Sequence, residues 1–133
     1  MADKLHFDLV SPERRLFQGD VDMVVVPGEE GDFGVLPGHA PMMSAIRSGA
    51  ISVHHGEDVK RTFIHGGFAE VTPAGLTVLA EEAIDLTGVD REQLAKDLSD
   101  AREDIGLARD DHERAAAEAR VAKLEALTTA LDS

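Results

Sequence analysis

The sequence contains no cysteine, no tryptophan and no tyrosine, and it carries half as many basic side chains as acidic ones. Without cysteine there is no disulfide, no thiolate nucleophile and no Cys-ligated zinc, a usage that fits a reducing compartment. Aromatic residues, all phenylalanine, make up 4% of the 133 residues, so any core must be aliphatic; at 43% hydrophobic residues the protein has enough material for one. Only 13 Lys and Arg stand against 26 Asp and Glu, a net charge of -13. That excludes a nucleic-acid partner and polybasic docking onto anionic lipid, both of which need an excess of cations. It suits a protein that meets a basic protein surface. Long hydrophobic runs are missing as well. The start, "MADKLHFDLVSPERR", has no apolar stretch of signal-peptide length and no Arg-rich transit segment, and no window approaches the roughly 18 apolar residues of a spanning helix. The expectation is a protein that is not exported and does not itself insert into a membrane.

What is present is unevenly distributed. All five prolines and all five phenylalanines precede residue 75, whereas after Glu82 the sequence turns to Ala, Asp, Glu and Arg, with Gly88 and Gly106 as its remaining breakers. This shift marks a boundary near residues 84–90, between domains at 1–86 and 87–133. In the first part, "KLHFDLV", "DVDMVVVPG", "AISVHHG", "VKRTFIHGG", "GFAEVTP" and "GLTVLA" alternate apolar and polar residues, and each is closed by Gly or Pro or lies close to one. Such spacing predicts an antiparallel β-sandwich or barrel. In the second part Asp90 reads as an N-cap with Gln93 at the capping-box position, and Leu94, Leu98, Ala101 and Ile105 line one helical face. Gly106 reads as the break. Ala117, Val121, Leu124, Leu127 or Thr128, and Leu131 line a second face, while Glu92 with Lys96 and Asp110 with Arg114 are spaced as four-residue charge pairs. The fold class is therefore mainly β plus α, a β-sandwich followed by an antiparallel two-helix hairpin. The apolar stripes of the hairpin are narrow and alanine-rich, so it buries little area and depends on docking for stability.

Chemistry is sought first in "PGEEGDFGVLPGHAP", residues 27–41. It matches neither a Walker loop nor a dinucleotide loop, and Glu29, Glu30 and Asp32 would repel phosphate. His39 with those carboxylates, or with His54, His55 or His65, offers ligand types a metal accepts, but no tight His-x-His spacing is present, so a hydrogen-bonded turn histidine is favoured. Ser11, Ser44, Ser48 and Ser52 occupy no nucleophile elbow, and Glu81 and Glu82 are adjacent in sequence and point apart on a strand. The residues assign no catalytic group, no metal and no cofactor.

The order V-S-P, L-F-x-G, P-G-x-E-G-x-x-G-x-L-P-G-H-A-P, G-G-F-x-E-V and "LTVLAEEAIDL" strongly resembles the epsilon subunit of the bacterial F-type ATP synthase. The resemblance implies a sandwich of about ten strands and two C-terminal helices. It implies a non-catalytic central-stalk subunit on the cytoplasmic face of the inner membrane, binding the gamma subunit and the c-subunit ring so that proton flow is coupled to ATP synthesis. Carried over by motif position, Glu30 and Asp32 face the ring, and Ser11, His39 and Ser44 match positions at the gamma or ring contact surface. Prolines and glycines in residues 27–41 would supply the stiff backbone a torque-transmitting contact needs.

Two departures from the family pattern stand out. The nucleotide motif at the start of the first helix keeps Asp90 but has Gln93 and Leu94 where the family has Arg-Ala, and Arg91 falls on another face, so no tight ATP binding is expected. The tail, which in the family can approach the alpha and beta catalytic subunits, carries Arg109, Arg114, Arg120 and Lys123 against Asp110, Asp111, Glu113, Glu118, Glu125 and Asp132. A surplus of acid disfavours docking onto an acidic segment, so weak inhibition at most is expected. The alternatives are a metal-dependent β-sandwich enzyme using His39 and His65, and a stand-alone nucleotide-sensing module.

Overall fold

A computed structural model describes residues 3–132; the ends of the expected domains, Met1, Ala2 and Ser133, lie outside the described residues. The protein divides into two compact units, Met1–Leu86 and Thr87–Ser133. The first holds eight strands: β1 (Leu5–Val10), β2 (Arg15–Val21), β3 (Met23–Gly28), β4 (Gly31–Val35), β5 (Met42–Ala45), β6 (Gly49–His55), β7 (Asp58–Thr72) and β8 (Gly75–Asp85). They form one sheet in the order β2-β1-β8-β7-β6-β3-β4, with β5 beside β7, and the sheet folds over on itself without closing into a barrel. All pairings are antiparallel except that of β1 with β8.

The strand count is eight, below the ten implied by the resemblance, because segments split by glycine in the sequence are continuous in space. "VKRTFIHGG" and "GFAEVTP" are one strand of 15 residues, β7. Its first half pairs with β6 and its second half with β5, while β8 runs along its other side from Thr62 to Thr72. Between the halves Gly66 and Gly67 have φ of 68° and 120°. At this point the inward-facing parity changes: Ile64 belongs to the core, and beyond the glycines Ala69 and Val71 do. The core is mostly aliphatic, as composition suggests, with Val24, Val26, Val35, Ile51 and Ile64 fully buried; Phe7 and Phe63 are fully buried as well.

One corner is held by Asp22, at the bend between β2 and β3. Its N–H donates to the His54 carbonyl (2.8 Å), and its carboxylate accepts from the Gly56 N–H (2.6 Å) and pairs with Lys4. The hydrogen bond from the Lys4 ammonium, and then that from Gly56, hold the Asp22 carboxyl below the ordinary carboxylate range.

A short 3-10 turn, Leu86–Gly88, spans the boundary between the units, and the helices of the second are α1 (Arg91–Leu107) and α2 (Asp111–Asp132). Asp90 caps α1 as expected, its side chain accepting from the Glu92 and Gln93 N–H groups. Gln93 does not complete the box; its amide donates to Asp97 at 2.9 Å. Gly106 does not break the helix, which runs on to Leu107 and ends at an extended Ala108. The turn is set instead by the cap of α2. There the Asp110 carboxylate accepts from the Glu113 N–H (2.8 Å), and the Glu113 carboxylate accepts from the Arg109 N–H (2.8 Å) and guanidinium (2.9 Å). The Arg109 side chain, helped by its N–H, lowers the Glu113 pKa. Among the described residues neither expected four-residue charge pair forms; this Arg109–Glu113 pair stands in their place. The predicted faces are otherwise the inner ones: Leu94, Ala101 and Leu127 are buried, joined by Ala130.

Candidate functional site

Five residues were expected at partner contacts, and the fold distributes them over two regions. Ser11 opens the tight turn between β1 and β2, its N–H donating to the Arg14 carbonyl at 2.8 Å and its hydroxyl to the same oxygen at 3.2 Å. Ser44 lies on β5 opposite Ala69, which is opposite Val78, so its side chain belongs to the inner face of the sheet. It is half-buried and its hydroxyl donates to the Ala45 carbonyl at 3.0 Å. The period of two gives the outer face to its neighbours Met43 and Ala45.

Residues 27–41 do not form one loop. Pro27 and Gly28 end β3, and residues 31–35 form the edge strand β4, with Asp32 opposite Pro27 and Gly31 opposite Gly28. Glu30 projects from the turn between them and is exposed. Asp32 is exposed too, but its carboxylate is ion-paired with Arg47. His39 sits in the following turn, its N–H donating to the Leu36 carbonyl (3.1 Å) and Nδ1–H to the Ala40 carbonyl (2.7 Å). His65 is elsewhere, on β7, with Nδ1 at 2.6 Å from the Ser48 hydroxyl. His39 and His65 thus lie on different elements, each ring with its own local partner at Nδ1. Among the described residues no group of three or more His, Cys, Asp or Glu is placed to hold a metal ion.

The nucleotide-motif positions are likewise occupied by the fold. Asp90 is the helix cap, Gln93 holds Asp97, and Leu94 is buried. Arg91 reaches the end of α2, with Nη1 at 2.7 Å from Asp132 and Nη2 at 3.1 Å from the Leu131 carbonyl.

What the sequence reading missed is an apolar surface. The register places Val10 beside Leu79, Leu79 opposite Phe68, and Phe68 opposite Ala45. These four form a row across β1, β8, β7 and β5 on the side away from the sandwich core, with Met43 one step along β5. Met43 is 65% exposed, Phe68 55% and Leu79 43%, an unusual clustering for large apolar side chains. Ser11 adjoins one end of the row and Ser44 the other. A signal existed: "FAEV" after the double glycine has apolar residues of both parities, so Phe68 and Ala69 cannot share the same face of one strand.

Two family profiles match the protein. One, described as "ATP synthase, Delta/Epsilon chain, beta-sandwich domain", covers residues 4–86, and the other, for the C-terminal domain of the ATP synthase epsilon subunit, covers residues 90–133. The protein is 71% identical over 127 residues to the ATP synthase epsilon chain of Maricaulis maris, spanning 96% of both proteins. The epsilon chain of Caulobacter vibrioides is 58% identical over 82 residues, which are 62% of this chain but 95% of that protein. Among solved structures, a subunit of the Euglena gracilis mitochondrial ATP synthase, in an assembly that includes the c-ring, superposes with a TM-score of 0.83 at 29% identity, over 96% of this chain and 81% of the other. Two profiles that between them span residues 4–86 and 90–133, and a relative of 71% identity along nearly the full length, lead to one conclusion: the chain belongs to the ATP synthase epsilon chain family, whose members are non-catalytic subunits of the ATP synthase complex.

Proposed function

We propose that this protein is the rotor linker of a proton-translocating ATP synthase, with the sandwich gripping the gamma subunit and the c-ring and turning with them on the cytoplasmic face of the membrane. The observation that carries the reading is the exposed apolar row of Val10, Leu79, Phe68 and Ala45 with Met43. An apolar strand surface of this kind, stiffened by cross-strand pairs, suits permanent attachment to a large partner. The row is assigned to gamma. Glu30, projecting from the β3–β4 turn, is assigned to the ring; Asp32 supports that turn through Arg47. No helix among the described residues is long and apolar enough to cross a membrane, consistent with a peripheral position.

The hairpin is assigned a minor role. The 82 residues matched by the Caulobacter vibrioides relative are 95% of that protein but 62% of this chain, so a relative in the family does without about a third of this length. With the nucleotide-motif side chains engaged within the hairpin and acids outnumbering bases along the tail, tight ATP binding is not expected and any inhibition of hydrolysis is weak.

Co-purification with tagged gamma tests the reading. Phe68→Asp should leave the melting curve in place yet weaken retention by about thirtyfold, the equivalent of a ~2 kcal/mol contact at the centre of an interface. Retention unchanged by Phe68→Asp and by Met43→Asp together would refute the assignment of the row. For the ring, Glu30→Lys should reduce ATP-driven proton pumping in reconstituted membranes, and unchanged pumping counts against that assignment. Removal of residues 88–133 should change ATP hydrolysis by less than twofold; a several-fold rise would show that the tail inhibits.

A further inference from the structure

The sandwich unit holds a second feature that the linker role does not use. Between β2 and the β6–β7 pair lies a half-open cavity of about 490 Å³. Its volume falls within the roughly 300–1,000 Å³ of small-molecule pockets, and its interior is apolar, formed by Leu9, Leu16, Val21, Val53 and Ala83. Phe17 stands on its wall, 37% exposed, with its ring centroid 5.6 Å from that of buried Phe7. The mouth is polar and unbalanced. Asp20, Asp58 and Asp85 line it against Arg14 and Lys60.

The pairings at the mouth leave room for a cation. Lys60 lies 3.9 Å from Asp85, and His6 Nδ1 lies 3.2 Å from Asp20. Among the described residues no ion pair takes up Asp58. The five Asp, Arg and Lys groups sum to one negative charge, in a protein whose net charge is -13. An anionic head group would be repelled by this field, whereas a cationic one would be drawn to Asp58 and could rest on the exposed Phe17 ring.

We propose that this cavity is a binding site for an elongated alkylammonium compound, with the aliphatic tail between Leu16, Val21 and Val53 and the cationic head at Asp58 and Phe17. The site is separate from the outward apolar row, so the two assignments stand or fall independently.

Three probes of equal length differing only in head group test it: decyltrimethylammonium, decanol and decanoate, each titrated below its aggregation concentration against the full-length protein while methyl resonances are followed by NMR. The expected result is saturable shifts confined to the cavity methyls, with the ammonium at least tenfold tighter than the carboxylate and the alcohol between them. Asp58→Asn should bring the ammonium down to the level of the alcohol and leave the alcohol unchanged. Ala83→Phe, which fills the cavity floor, should abolish all three in a protein whose melting curve shows it folded. Should that variant not fold, the order of the head groups and the Asp58→Asn response still decide. Decanoate equal to or tighter than the ammonium, an Asp58→Asn variant with unaltered selectivity, or shifts that never saturate would each overturn the proposal.

Discussion

Replacing Gly67 by alanine should be among the most damaging single changes available in the sandwich. The residue has φ of 120°, where an L side chain is strained at a cost of about 1–3 kcal/mol. Packing adds more. A Cβ at this position would lie 1.7 Å from the Leu79 carbonyl oxygen and 2.8 Å from its carbon. These are backbone atoms of β8, so no rotamer change relieves the clash. Ordinary contact begins at 3.4 Å, so β7 and β8 would have to part locally by about 1.7 Å. That is a third of the usual ~4.8 Å strand spacing and breaks the neighbouring ladder hydrogen bonds, at roughly 1 kcal/mol each. Val78 and Ala80, both in the core, would be dragged with β8. The sum is a loss of about 3–6 kcal/mol, a large part of the roughly 5–15 kcal/mol margin of a native protein. Denaturant unfolding followed by circular dichroism measures it. Gly106→Ala is the control, because Gly106 lies in α1 with no neighbouring atom within 4 Å of the point an added Cβ would occupy, and it should stabilise by about 0.5–1 kcal/mol. A Gly67→Ala protein within 1 kcal/mol of the parent would refute the reasoning.

Three further outcomes are expected. The folded-state pKa of Asp22 is lowered, so its contribution to stability is fully present above the unfolded value of about 3.9 and is lost as pH falls through the lower folded value. Melting temperatures should thus show Asp22→Asn less stable than the parent near neutrality, with the gap closing below about pH 4; a gap independent of pH would exclude the charge as its cause. Leu127→Ala, at a buried position in a thin interface that can relax, should destabilise the hairpin by about 2 kcal/mol, seen as earlier loss of the helical signal with the sheet signal unmoved. Calorimetric titration of the full-length protein with ATP should show no tight binding, and a micromolar dissociation constant would contradict the reading of the motif at Asp90, Gln93 and Leu94.

The amino-acid sequence by itself determined the class of structure and the family. Alternation with a period of two, the Gly and Pro punctuation, the Asp90 cap and the Leu94–Leu98–Ala101–Ile105 stripe are local signals, each read within a short stretch of residues. The family motifs are also local strings. Other features depended on partners far along the sequence. Gly66 and Gly67 looked like the end of a strand, and only the pairing of β7 with β8 on one side and with β6 then β5 on the other makes them a bend within it. Ser44 and Met43 are neighbours in sequence, and only cross-strand register assigns them to opposite faces. Asp32 found Arg47, and Arg91 found Asp132, across separations that no spacing rule covers. The outward row of Leu79, Phe68 and Ala45 is the plainest case. It gathers side chains from several strands onto one surface, and a surface assembled by hydrogen-bonded pairing comes into being only when the sheet does.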